Sequence, residues 1–189
     1  MLRVVFPATA LLGALLYGSI VFLPTYLQVA FDLSATEAGL AGNPYFIPFI
    51  VVSALAGTWV NGRFRAFLLT GSVLIVPGLL LLGRADLSSA YPYVATGMAV
   101  LGIAFGLIMQ NLVTVAQNAV RPADLGAVTS AVVSVRGFGM AAGVALAGSQ
   151  VTGGGRPEAI AAALPGVLLW GLVPAIALIA LMAALPRER

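Results

Sequence analysis

Arg136, in Ser134-Val-Arg-Gly-Phe-Gly139, is an ionisable side chain in the middle of a long apolar stretch. If that stretch crosses a bilayer, the guanidinium costs at least ~2.5 kcal/mol on insertion scales, so it has to face a bundle interior or a wet cavity and find a partner there. It can line a substrate or gating cavity, or bond helix-end carbonyls as a structural group. A second set carries amides and hydroxyls: Gln110, Asn111, Thr114 and Gln117, with Gln110 and Thr114 on one helical face and Asn111 beside them. Together they suit a cavity lining, while hydrogen bonds between helices, worth ~0.6–2 kcal/mol each, are the plainer use of any one of them. Asn43 and Tyr45 open another apolar segment as further lining candidates. Tyr17 lies too deep for an interfacial anchor, which leaves a cavity role or a buried hydrogen bond. Tyr26, Tyr91 and Tyr93 read as anchors near the membrane surface.

The absences bound the chemistry. With no Cys and no His, thiol nucleophiles, imidazole bases and disulfides are excluded, and no ligand set supports a metal or an organic cofactor. Intramembrane proteolysis needs a Ser-His pair or paired Asp residues within spans, and neither is present. The expectation is a protein that is not an enzyme.

The elements that carry these residues are apolar: 61% of the 189 residues are hydrophobic, 8% are charged, and the mean hydropathy is +1.08. A soluble domain does not hide that much apolar surface, so lipid is the solvent. The runs are too long and too continuous for barrel strands, which leaves helices. A span needs roughly 20 apolar residues, and six segments qualify, near residues 4–30, 37–60, 66–83, 91–117, 123–150 and 162–185. Ser34-Ala-Thr-Glu37 is a capping-box sequence that starts a helix. Asn61-Gly-Arg-Phe-Arg65 reads as a polar turn, Pro122 and Asp124 suit a first helical turn, and Thr152-Gly-Gly-Gly-Arg-Pro157 is the strongest break. Prolines 24, 44, 48, 77, 165 and 174 sit in first turns or interrupt the hydrogen-bond ladder and kink it.

The net charge of +3 comes from nine arginines against six carboxylates, with no lysine. Basic residues gather in cytoplasmic loops, so the basicity reads as topology and not as nucleic-acid binding. With the N-terminus inside, Arg3, Arg63, Arg65, Arg121, Arg187 and Arg189 lie on the cytoplasmic side, against Arg84 and Arg156 outside. Both termini are therefore expected in the cytoplasm. Gly102-Ile-Ala-Phe-Gly106 and Gly139-Met-Ala-Ala-Gly143 are small-xxx-small patterns that let helix backbones pack closely.

Leu23-Pro-Thr-Tyr-Leu-Gln28 with Leu33-Ser-Ala-Thr-Glu-Ala-Gly-Leu40, and Gln117-Asn-Ala-Val with Leu125-Gly and Ser134-Val-Arg-Gly-Phe-Gly-Met-Ala-Ala-Gly-Val-Ala-Leu146, resemble the fourteen-helix multidrug efflux branch of the major facilitator superfamily. The resemblance covers nearly the whole chain. It implies an all-α membrane protein in which residues 1–189 form one C-terminal six-helix bundle of two inverted three-helix repeats, seated in the cell (inner or plasma) membrane. It also implies a partner, an N-terminal half or a second subunit, around a central cavity for small hydrophobic substrates. Spans one, two, four and five would line that cavity, with three and six facing lipid.

Two departures stand out. Where the superfamily carries an acidic residue in the turn after the second span, this chain has Asn61, and Arg63 and Arg65 are shifted, so only those two arginines carry over as a cytoplasmic turn. Proton-coupled antiport needs a proton-exchanging group inside the membrane, and no Asp or Glu lies in the core of any span. The resemblance places such groups, and so coupling to protons, in the N-terminal half. The expected function is one half of a drug exporter; the alternative is a truncated or accessory membrane module that transports nothing.

Overall fold

A backbone inside hydrocarbon has only its own donors and acceptors, which favours helix, and among the described residues all regular structure is helical. The computed structural model describes residues 1–59, 63–150 and 156–185, with the backbone alone for 57–59. In chain order the helices are α1 (Leu2–Ile20), α2 (Leu23–Phe31), α3 (Ala35–Ala41), α4 (Asn43–Trp59), α5 (Phe64–Gly83), α6 (Tyr91–Asn118), α7 (Leu125–Ser149), α8 (Pro157–Trp170) and α9 (Leu172–Ala183). A single 3₁₀ turn, Pro122–Asp124, leads into α7. Five segments are long and apolar enough to cross a membrane, or six if α3 and α4 form one bent span. Asn61, Gly62 and the Thr152–Gly155 part of the strongest break lie outside the described residues.

Prolines decide where the long spans divide. Pro24 has no N–H for the Ile20 carbonyl, and the first span breaks at Val21 and Phe22; Pro174 does the same to Trp170, and the last span breaks at Gly171. Pro48 and Pro77 are accommodated inside α4 and α5. The second segment, expected as one run over 37–60, is instead a pair bent by 44° at Gly42. Its start carries the capping box: the Ser34 hydroxyl accepts from the Glu37 N–H at 3.3 Å, and the Glu37 carboxylate accepts from the Ser34 N–H at 2.9 Å. The last span begins at Pro157, ahead of the expected residue 162.

Helix α6 is central, with α4 on one side and α5 on the other; α1 pairs with α7, and α8–α9 cover α5 and α1. Lipid supplies no hydrophobic drive to bring helices together, so close backbone approach and dispersion do it. A Cβ on Gly102 would overlap the Tyr45 carbonyl, and one on Gly106 would come within 2.9 Å of the Phe49 carbonyl. On the other pair, Cβ atoms on Gly139 and Gly143 would collide with the backbone of Ala10 and Ala14. On Gly71 and Gly78 of α5, an added Cβ would come within 2.6 Å of the Ile108 and Leu101 side chains of α6.

Tyrosines tie one end of the bundle. The Tyr26 hydroxyl donates to the Asp86 carbonyl at 2.8 Å, and the Tyr91 hydroxyl to the Ala41 carbonyl at 3.0 Å. For Tyr26 the anchor reading is corrected: its ring is 2% exposed and belongs to the core. Asp86 organises the α5–α6 loop, where hydrogen bonds from the Ser88 and Ser89 hydroxyls hold its carboxyl below the usual carboxylate range. Tyr26→Phe is expected to cost about 1 kcal/mol, the worth of one hydrogen bond, read as a lower unfolding temperature in detergent, whereas Tyr93→Phe at an exposed ring leaves it unchanged. At the opposite end, Arg65 Nη2 donates to the Ala183 carbonyl at 2.9 Å and fastens the start of α5 to the end of α9. Arg63 is exposed at the N-cap of α5.

Candidate functional site

Two places bring polar side chains of the spans to an accessible position. The first is a cleft of about 470 Å³ between α4 and α6, lined by Phe49, Ile50, Ser53, Ala54 and Gln110. Gly106 creates it. Without a side chain there, α6 packs against the Phe49 carbonyl and the Ser53 N–H of α4, and one turn later the exposed Gln110 amide stands at the edge of that contact. The Thr114 hydroxyl donates to the Gln110 carbonyl at 3.2 Å, which leaves the Gln110 amide group itself available. Apolar walls with an amide and a hydroxyl suit an amphipathic molecule of mostly apolar surface.

The second place is the contact of α1 with α7. Gly13 lies under Arg136: a Cβ at 13 would strike the Arg136 carbonyl and come within 3.2 Å of its Cγ. The missing side chain makes room for the arginine stem. Arg136 is half-buried, halfway along α7, and among the described residues its guanidinium has neither an ion pair nor a hydrogen-bond partner. One turn before it on α7, the Ser134 and Val133 face is exposed.

The seven expected lining residues do not converge on one pocket. Asn43 is exposed at the start of α4. Tyr45 is 1% exposed and lines no open cleft; its hydroxyl has no hydrogen-bond partner, and Ser19 and the half-buried Tyr17 of α1 are the polar groups around it. Asn111, also 1% exposed, is inside the bundle and donates from Nδ2 to the Leu107 carbonyl at 2.7 Å. The reason is angular: Asn111 is seven residues past Ala104, which faces Gly71 of α5, so it repeats that inward stripe, whereas Gln110 is four past Gly106 and follows the α4 face. Gln117 reaches across to α7, its Nε2 donating to the Thr129 hydroxyl at 2.9 Å. Ser53, Ser19 and Gly13 were not anticipated. Gly13 was legible from its spacing with Ala10 and Ala14, while isolated serines in spans give no periodic signal.

A family model for the Major Facilitator Superfamily matches residues 5–189. The chain is 30% identical over 135 residues to the multidrug transporter protein MdtP of Bacillus subtilis, covering 71% of this chain and 25% of that protein. It is 33% identical over 139 residues to the uncharacterized MFS-type transporter Rv1877 of Mycobacterium tuberculosis, covering 72% of this chain and 20% of that protein. With the puromycin resistance protein pur8 of Streptomyces alboniger it shares 30% identity over 143 residues, covering 73% and 28%. The chain thus spans between a fifth and a third of the length of these relatives.

Proposed function

Because the chain belongs to the major facilitator superfamily, we propose that its six spans act as the C-terminal half of a secondary active exporter of hydrophobic or amphipathic compounds. The half supplies one wall of a central cavity and one rocking body of an alternating-access cycle, and the other half, with its proton-exchanging group, completes the transporter. Both termini lie in the cytoplasm of a cell whose inner or plasma membrane holds the protein. The observation that carries this reading is the segregation of polar groups. Gln110, Ser53 and Arg136 are on α6, α4 and α7, whereas residues 159–183 of α8–α9 contain no charged, amide or hydroxyl side chain.

The helix pairing supports an inverted repeat. Exchanging span one with four, two with five and three with six turns the α1–α7 contact into the α6–α4 contact, and returns the contact of α5 with α8–α9 to itself. Both exchanged contacts are also the ones where glycines meet backbone, Gly139 and Gly143 in one and Gly102 and Gly106 in the other. The names of two relatives, a multidrug transporter and a puromycin resistance protein, point to the substrate class.

The test is dye efflux from energised, pump-deficient cells expressing the complete transporter that contains these residues. Gln110→Ala is expected to lower the rate about three- to tenfold with unchanged membrane abundance, and Tyr17→Phe less. Wild-type rates for Gln110→Ala, Asn111→Ala and Tyr17→Phe alike would remove the site.

A further inference from the structure

A cavity of about 280 Å³ lies at the break between α8 and α9, away from the polar cleft. Its walls include Ala14 and Gly18 of α1, Gly143 and Ala147 of α7, and Gly171 at the break itself. Small residues at these five positions leave a void where larger side chains would meet. The mouth is formed by Leu146, Trp170 and Val173, which are 67%, 67% and 65% exposed. Polar side chains in membrane spans face protein or water, so the α8–α9 surface, which has none over residues 159–183, faces lipid.

We propose that this cavity holds one acyl chain of a bilayer phospholipid, entering between Leu146 and Trp170. Inside the mouth, Ser19 carries the one hydroxyl of the lining, and it offers water little. The Ser19 hydroxyl is committed to the Leu15 and Leu16 carbonyls of its own helix, at 2.8 and 2.9 Å, and a buried water needs two to four polar partners. An empty cavity forfeits dispersion contacts along its whole lining. A hydrocarbon chain already in the surrounding solvent restores them without stripping water from any polar group. Gln150, which lines the cavity at the exposed end of α7, carries amide donors for the ester and phosphate oxygens at the head of the same lipid. Such a lipid fills the joint at Gly171 and shares no lining residue with the cleft at Gln110.

Gly18 allows a clean test, because a Cβ there meets nothing closer than 3.7 Å. Gly18→Leu therefore fills the cavity without separating α1 from α7. Gly166→Leu, at an exposed site with open space around it, adds the same side chain outside the cavity. The full chain is extracted in mild detergent and its bound phospholipid is counted by native mass spectrometry. One retained phospholipid is expected for the unaltered chain and for Gly166→Leu, with at least a tenfold loss of the lipid-bound fraction in Gly18→Leu.

Should Gly18→Leu fail to fold, Trp170 reports instead. In a Trp59→Phe chain in nanodiscs, a phospholipid brominated on its acyl chain should quench Trp170 fluorescence and saturate at low mole fraction. No retained lipid in the unaltered chain, equal retention in Gly18→Leu, quenching merely proportional to mole fraction, or displacement of the lipid by an amphipathic dye would each overturn the assignment. Loss of drug export with lipid retention intact sinks the transport reading and leaves this one standing.

Discussion

Gly139→Ala is expected to lower the unfolding temperature of the purified chain in detergent and to reduce its folded yield, while Gly137→Ala, two residues away on α7, lowers neither. The two substitutions add the same methyl group to the same helix, so helix propensity cancels between them. At 137 the new carbon meets nothing within 4 Å, whereas at 139 it falls on the carbonyl and Cα of Ala10. That neighbour is backbone and cannot rotate away, so α1 and α7 must part. Overpacking of this kind costs about 1–3 kcal/mol, and separating the helices also forfeits the close contact of Gly143 with Ala14 one turn further on. Gly139→Leu extends the same collision and should abolish the folded state. Equal unfolding temperatures for the two alanine variants would mean that α1 and α7 do not approach as closely as these backbones do.

How much of this is legible in the sequence depends on whether a feature is local. Composition and run length point to helices in lipid because the rule they express applies to every residue of a segment. The capping box at Ser34 and Glu37 is local in the same way, two side chains three residues apart closing on each other's backbone. Breaks inside spans are harder. Pro24 and Pro174 coincide with a break one turn earlier, yet Pro48 and Pro77 do not, since neighbouring packing decides whether the freed carbonyl can be absorbed.

The candidate site was legible to the level of a helix and not to the level of a face. Gln110 and Asn111 are adjacent amides with identical sequence credentials, and 100° of rotation puts one at an open cleft and the other against its own helix carbonyl. Which side is inward follows from where α5 lies, and that is set by Gly71 and Gly78, two glycines that give no chemical signal. The buried Tyr45 hydroxyl was likewise beyond reach, because its seclusion comes from α1 and α6 closing over α4 and not from anything in its own segment.

Arg136→Ala is expected to reduce export by more than tenfold while leaving the protein as abundant and at least as stable as before. The two readings open for this arginine make opposite forecasts for stability. A structural guanidinium bonding helix-end carbonyls would, on removal, leave those acceptors unsatisfied and cost about 1–3 kcal/mol. Among the described residues Arg136 has no such bond, and its stem rests on the empty face of Gly13. Removing it therefore withdraws an insertion penalty of at least ~2.5 kcal/mol and gives up only the packing of its stem on Gly13. Under the proposed function, such a result would assign the charge to something outside this bundle, either a polar group of the substrate or an acidic partner on the other half. Arg136→Lys separates these further: a lysine keeps the charge but not the planar, forked donors, so steering by charge alone survives the change and two-point recognition does not. Efflux measured with unfolding temperature on the same three proteins decides the matter, and a destabilised Arg136→Ala that still exports at the wild-type rate would return this residue to a scaffold role.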